Sequence, residues 1–148
     1  MGCSQDKNEH EQIIPFQCIS DQSQCEIITK FGAVLVKFNV EKVLAELPFQ
    51  IQLEFKKDHL LSDIPHPKII NSVVGYMEGK TMFMGKIPLF FNRQLEGDED
   101  YSFIAETMLG SCSEDRMTWR IWITLEMIDV NYKDQTTFFI DVDSTRFR

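Results

Sequence analysis

Apolar and polar residues alternate with period two along most of this chain. In Phe49–Lys56 the pattern has no error: Phe49, Ile51, Leu53 and Phe55 share one face, and Gln50, Gln52, Glu54 and Lys56 share the other. Successive side chains of an extended backbone point to opposite sides, so this is a half-buried strand. Arg116–Ile128 repeats the pattern at greater length, with Met117, Trp119, Ile121, Ile123, Leu125 and Met127 on one face. Thr118, Arg120, Thr124 and Glu126 point away, and Trp122 interrupts that polar face, where it either covers a sheet edge or marks a contact surface. Glu26–Val40, Ile69–Met77, Ile87–Phe91, Ser102–Leu109 and Thr136–Val142 are further strand candidates, rich in β-branched and aromatic residues.

Helix signals are weak. Val40–Glu46 has the composition for one or two turns, but Pro48 follows and the run is short. About seven strands separated by Pro, Gly, Asn and Asp clusters predict an all-β fold, an antiparallel two-sheet sandwich. Asp58–Pro67 reads as an inter-strand loop and Glu96–Asp100 as a solvated acidic turn, its spacing unlike an EF-hand. The predicted organisation is a polar tether over residues 1–12 and one domain over residues 13–148.

Composition narrows the function classes. The 148 residues are 43% hydrophobic and 26% charged, ordinary for a globular domain with a real core. With 23 acidic and 15 basic side chains the formal charge is −8. That balance, without a basic stripe, argues against phosphate-backbone binding and hence against nucleic acid. No apolar run approaches the roughly 18 residues of a membrane-spanning helix.

The chain has four cysteines. Cys3 follows Gly2 at the start of the polar segment. Asp6 occupies the position where myristoylation wants Ser or Thr, which breaks that signal. Gly2-Cys3 reads instead as the end of a lipobox, with Cys3 lipidated and residues 4–12 tethering the domain to a membrane; an incidental cysteine in a polar tail is the alternative. Cys18 and Cys25 flank the turn-forming segment Ser20–Gln24, which lets two strand ends bring the thiols together. A disulfide there fits an oxidising compartment such as the bacterial periplasm; two reduced surface thiols are the other reading. Pairing Cys18 with Cys25 leaves Cys112 alone.

Signs of an enzyme are few. The sequence holds no G-x-S-x-G, phosphate loop or H-E-x-x-H. His10, His59 and His66 lie in the tail or the Pro-rich loop, with no nucleophile placed beside them. The expectation is a non-enzyme. Sulfur stands out instead. Met82 and Met84 are two residues apart, so in extended backbone their thioethers leave one face. Cys112 sits in the predicted hairpin loop between Ser102–Leu109 and Met117–Ile128, with Met117 at its foot and Met77 and Met108 in neighbouring strands. Thiolate and thioether ligands select Cu(I) and reject magnesium or calcium. Against this, methionine commonly fills cores, and Met117 and Met127 fall on the predicted buried face. Cys112 is open to three readings: an inert buried thiol, a metal ligand, or a thiol-exchange group activated by Arg116.

Three segments carry a resemblance: Val73-Val74-Gly75-Tyr76-Met77-Glu78-Gly79-Lys80-Thr81-Met82-Phe83-Met84-Gly85, Tyr101–Gly110, and Met117-Thr118-Trp119-Arg120-Ile121. Together, over about Gln50 to Met127, the chain resembles the YtkA/FixH-like domains, small immunoglobulin-like β-sandwiches that are membrane-anchored or secreted. Their pattern combines a Met-Gly element, a Gly-x-Tyr-x-Ala strand and a late Gly-x-Trp strand. Here Met117-Thr118-Trp119 replaces Gly-x-Trp, Cys112 is an added thiol, and Cys18 and Cys25 lie outside the matched region. The resemblance implies an immunoglobulin-like sandwich with a role in copper handling or haem–copper oxidase assembly, and no catalytic residues. The combined expectation is a membrane-tethered periplasmic lipoprotein that binds Cu(I) through Met82, Met84, Cys112 and Met117 and passes it to an envelope partner, a copper protein or oxidase subunit. The alternative is an envelope interaction module without metal, with an apolar patch around Phe83, Phe90 and Trp122.

Overall fold

The alternation from Met117 to Met127 becomes part of the longest strand pair in the fold. A computed structural model describes residues 14–55, 70–95, 101–110, 114–129 and 132–146. These residues contain ten strands and no helix: β1 Glu26–Thr29, β2 Gly32–Phe38, β3 Val43–Leu44, β4 Phe49–Phe55, β5 Ile70–Gly79, β6 Lys86–Phe90, β7 Asn92–Leu95, β8 Tyr101–Thr107, β9 Arg116–Asp129 and β10 Tyr132–Thr145. Two five-stranded sheets result, in the orders β1-β2-β4-β8-β7 and β3-β10-β9-β5-β6. Neighbours run antiparallel except the short β3, which lies parallel to the end of β10.

The chain is thus all-β, and its two sheets share one core, in a sandwich-like arrangement. Val34, Val36, Phe38, Phe49, Ile51, Leu53, Phe103 and Ala105 come from the first sheet. Val73, Met77, Leu89, Trp119, Ile121, Ile123, Leu125, Ile140 and Val142 come from the second. The periodicity of β9 reports burial correctly, since each odd-numbered apolar residue from Met117 to Met127 is buried. In β4 it holds for Phe49, Ile51 and Leu53, but Gln52 on the predicted polar face is also buried and Phe55 is only half-buried. Trp119 is buried without an orphaned donor, because its indole N–H donates to Ser144 Oγ at 3.1 Å.

Several elements differ from the sequence expectation for local reasons. Glu26–Val40 divides at Lys30-Phe31, where a tight turn joins β1 to β2. Thr29 Oγ1 donates to the Gly32 carbonyl and accepts from the Phe31 amide, and Gly32 takes a φ of 116°. Val40–Glu46 is not helical. It carries β3, because Ala45 N donates to the Thr145 carbonyl and ties this stretch to the end of β10. The predicted strand Ile87–Phe91 corresponds to β6, and β7, which follows it outside the predicted strands, belongs to the other sheet. The predicted loop Asp58–Pro67, the acidic turn Glu96–Asp100, the tether over residues 1–12 with Cys3 and His10, and also His59, His66 and Cys112, lie outside the described residues.

Cys18 and Cys25 form a disulfide, with Cα atoms 5.7 Å apart. Closing this short loop stabilises by roughly 2–3 kcal/mol on the chain-entropy account. Inside it, Ser23 N donates to the Asp141 carbonyl and Asp143 N donates to the Asp21 carbonyl. At its start, Gln17 and Phe38 exchange backbone hydrogen bonds. The crosslinked segment therefore connects β2 of one sheet to β10 of the other and pairs backbone groups along that stretch of β10.

Candidate functional site

Antiparallel pairing decides which connections meet. β5 ends at Gly79, opposite Trp119 near the start of β9, and Lys80 N donates to the Thr118 carbonyl at 2.9 Å. The connection 80–85, which bears Met82 and Met84, therefore starts beside the first turns of β9. β8 ends at Thr107, and Leu109 O accepts a hydrogen bond from Glu46 N. Gly110, Glu114, Met117, Trp119 and Thr145 line one small cavity together. Thus the β5–β6 and β8–β9 connections lie at the same end of the sandwich.

The sulfur residues differ in environment. Met82 is 40% exposed. Met84 is half-buried and packs on the core. Met117 is only 7% exposed and belongs to the core, while Met77 and Met127 are fully buried. Met77 therefore fills space within the sandwich and is removed from any surface ligand set. Met108 is 51% exposed, one residue past β8. Its sequence signal is the period-two phase of Phe103, Ala105 and Leu109, which are buried and leave Glu106 and Met108 pointing outward. Cys112 is two residues along the chain from Gly110 and two from Glu114, both of which line the cavity.

Gly79 couples the two sulfur-bearing segments. A Cβ at this position would overlap the carbonyl oxygen of Met82 and lie 2.9 Å from Met117 Cε. Only glycine lets the chain turn back so closely over Met117. Gly85, with φ 77°, closes the same connection in the left-handed region that other residues avoid. Between these glycines the backbone presents Phe83, 85% exposed. Among the described residues there is no group of three or more His, Cys, Asp or Glu side chains arranged to hold a metal. The thioethers of Met82 and Met84 are soft donors, which fit a soft monovalent cation and not a hard one.

Arg116, the residue proposed to activate a thiol, has its guanidinium 3.0 Å from Asp143 Oδ2 and 4.0 Å from Asp21 Oδ1. Its charge is already directed at carboxylates on β10 and the disulfide loop.

Trp122 lies on the middle strand of its sheet, so it does not cover an edge. It is half-buried on the outer face, where Tyr76 stacks beside it at 6.4 Å and Phe139 tilts against it at 5.0 Å. Its N–H donates to Glu78 Oε2 at 2.7 Å. Below this row, Arg120 grips Asp141 through Nε and Nη2 at 2.9 and 3.3 Å, and Lys80 Nζ lies 3.1 Å from the same carboxylate. Arg120 draws the Asp141 carboxyl below the ordinary carboxylate range; partial burial pushes it the other way, and Lys80 adds to the lowering. Phe83 and Trp122, grouped in one apolar patch by the sequence reading, belong to two surfaces: the sandwich end and the outer face of the second sheet.

No family model, curated protein or solved structure matches the chain.

Proposed function

We propose that this protein is a non-enzymatic, immunoglobulin-like domain of the YtkA/FixH-like type that binds Cu(I) transiently through Met82, Met84 and Cys112. The observation that carries this reading is the glycine-enabled contact at Gly79, which brings the Met82 segment over Met117. Met82 supplies an accessible thioether, Met84 a half-buried one, and Cys112 the thiolate. Met117 forms the floor beneath the Met82 segment and joins the ligand set only by rotating outward. Soft donors of this kind hold Cu(I) without change of oxidation state. Few ligands at an exposed end leave a position open for a partner's donor, which allows hand-over to a copper protein or oxidase subunit of the envelope. Lipidation at Cys3 would keep the domain at a periplasmic membrane surface, and a Cys18–Cys25 disulfide suits that compartment.

The test is an anaerobic Cu(I) titration of the protein against a competing chelator, run beside Cys112→Ser and the double variant Met82→Leu/Met84→Leu. The reading expects one-to-one binding by the parent chain and at least a tenfold loss of affinity in each variant, with unchanged circular dichroism. Absence of binding above the chelator, or variants that bind like the parent, overturns it.

A second reading, an envelope interaction module without metal, is favoured by Phe83. A phenyl ring 85% exposed at a loop tip between two glycines is the kind of anchor a partner pocket buries.

A further inference from the structure

The outer face of the second sheet carries an ordered surface that copper binding does not use. The registers of β6, β5, β9 and β10 align side chains in three adjacent rows. One row reads Pro88, Tyr76, Trp122, Phe139. The row on one side reads Phe90, Val74, Thr124, Thr137, and the row on the other reads Lys86, Glu78, Arg120, Asp141. Phe90 is 74% exposed, Val74 56% and Phe139 41%, so apolar surface continues across all four strands. An apolar face of this breadth is unusual on an isolated soluble domain.

We infer that this face packs against the same face of a second copy, in a two-fold dimer. The charged row supports this occupant. Across the sheet its signs run plus, minus, plus, minus. A two-fold axis along the strand direction, between β5 and β9, lays each row on its own reverse. Lys86 then faces Asp141 of the second copy and Glu78 faces Arg120, so all four positions meet the opposite sign. The same operation sets Pro88 against Phe139, Tyr76 against Trp122, Phe90 against Thr137 and Val74 against Thr124. Aromatic and aliphatic groups meet in the middle with charge on one flank. A single-sign row would instead repel its own copy.

Two further features favour a flat apolar partner over a planar ligand or an added strand. The ring faces are already covered inside the chain: Tyr76 stacks on Trp122, and the Arg120 guanidinium lies 4.1 Å from the Phe139 ring centre. Ring edges and the exposed Val74 and Phe90 side chains are what face outward, and these interdigitate with another sheet at the usual spacing of about 10 Å. The open edge of β6 contains Pro88, which has no N–H to offer an incoming strand.

Sedimentation of the full chain tests this, scored for mass that persists as monomer on non-reducing denaturing gels, so that intermolecular disulfides are not counted. At roughly 100 μM the parent is expected at twice the monomer mass. Val74→Glu/Phe90→Glu changes two exposed residues, leaves the fold intact by circular dichroism, and weakens the dimer at least tenfold. Glu78→Arg puts like charges across the axis and also weakens it. Adding Arg120→Glu restores opposition, because the row then reads plus, plus, minus, minus against its reverse, and this double variant associates more tightly than Glu78→Arg alone. A parent that stays monomeric up to roughly 1 mM overturns the inference. So does a dimer unmoved by Val74→Glu/Phe90→Glu, or a double variant no tighter than the single one. None of these readouts involves copper, so the dimer and the metal site stand or fall separately.

Discussion

The sulfur-bearing end and the outer face of the second sheet are built by opposite means. On the face, backbone pairing sets every neighbour: once Tyr76 lies opposite Trp122 and Trp122 opposite Phe139, the aromatic row follows. At the end, no ladder spans the connection 80–85, and its path depends on two glycines and one hydrogen bond from Lys80 N. A sheet face tolerates side-chain exchange because its spacing belongs to the backbone. A loop site ties its geometry to individual residues, and a single Cβ can displace it.

Trp119→Ala strikes the support that both regions share. Its indole is 1% exposed, bonded to Ser144, and opposite both Gly79 and Val142. Truncation is expected to cost about 3–5 kcal/mol, read by urea denaturation, with both regions affected together.

Gly79→Ala separates them. The new methyl must push aside the Met82 carbonyl and Met117 Cε, a cost of about 1–3 kcal/mol. Cu(I) affinity should fall with it, while the near-ultraviolet dichroism of the Tyr76–Trp122 pair stays as in the parent. Loss of that aromatic signal would mean the end and the face are not independent.

Asp141→Asn acts in the other direction, on the face. It removes the negative charge and one of the two acceptor oxygens that serve the Arg120 fork and Lys80, and should cost roughly 1–3 kcal/mol at neutral pH. The Asp141 carboxyl is held below its unfolded value of about 3.9. Its stabilising contribution is therefore complete above that value and fades as pH falls through the lower folded pKa. Denaturation curves from pH 6 down to about 2 should show the parent losing more stability than the variant, the two converging at the acid end.

Phe83→Ser should have the smallest effect on stability, within about 0.5 kcal/mol, since the ring is almost wholly in solvent. A larger loss would show that the loop tip is folded against something, and the contrast between a rigid face and a glycine-set end would need revision.

The aromatic face shows where sequence reading succeeds and stops. Trp122 is visible in the sequence as an aromatic residue in the middle of the polar side of β9. That Tyr76 and Phe139 flank it is not, because periodicity assigns faces without assigning neighbours. The grouping of Phe83, Phe90 and Trp122 divides for this reason: Phe90 and Trp122 share the outer face of the second sheet, while Phe83 lies on the connection 80–85 beyond Gly79. Val40–Glu46 shows a second limit. Its helical composition yields to long-range backbone bonds, from Ala45 N to the Thr145 carbonyl across 100 residues of chain and from Glu46 N to the Leu109 carbonyl. Met108 shows a third, since a boundary error of two residues moved an exposed thioether into a strand.

Local pattern alone is enough to read that the described residues are all-β, that alternate residues of β9 are buried, and that Cys18 and Cys25 are spaced for a disulfide. These follow from short-range rules: a two-residue period, turn-forming residues between two thiols, and apolar side chains leaving water. That Met82 and Met117 meet at Gly79, that Trp122 stands at a sheet centre, and that Lys86, Glu78, Arg120 and Asp141 form one row of alternating sign is visible only in the folded chain. Each of these depends on strand order and register, which arise from the joint packing of residues far apart in the chain, and no local pattern encodes them.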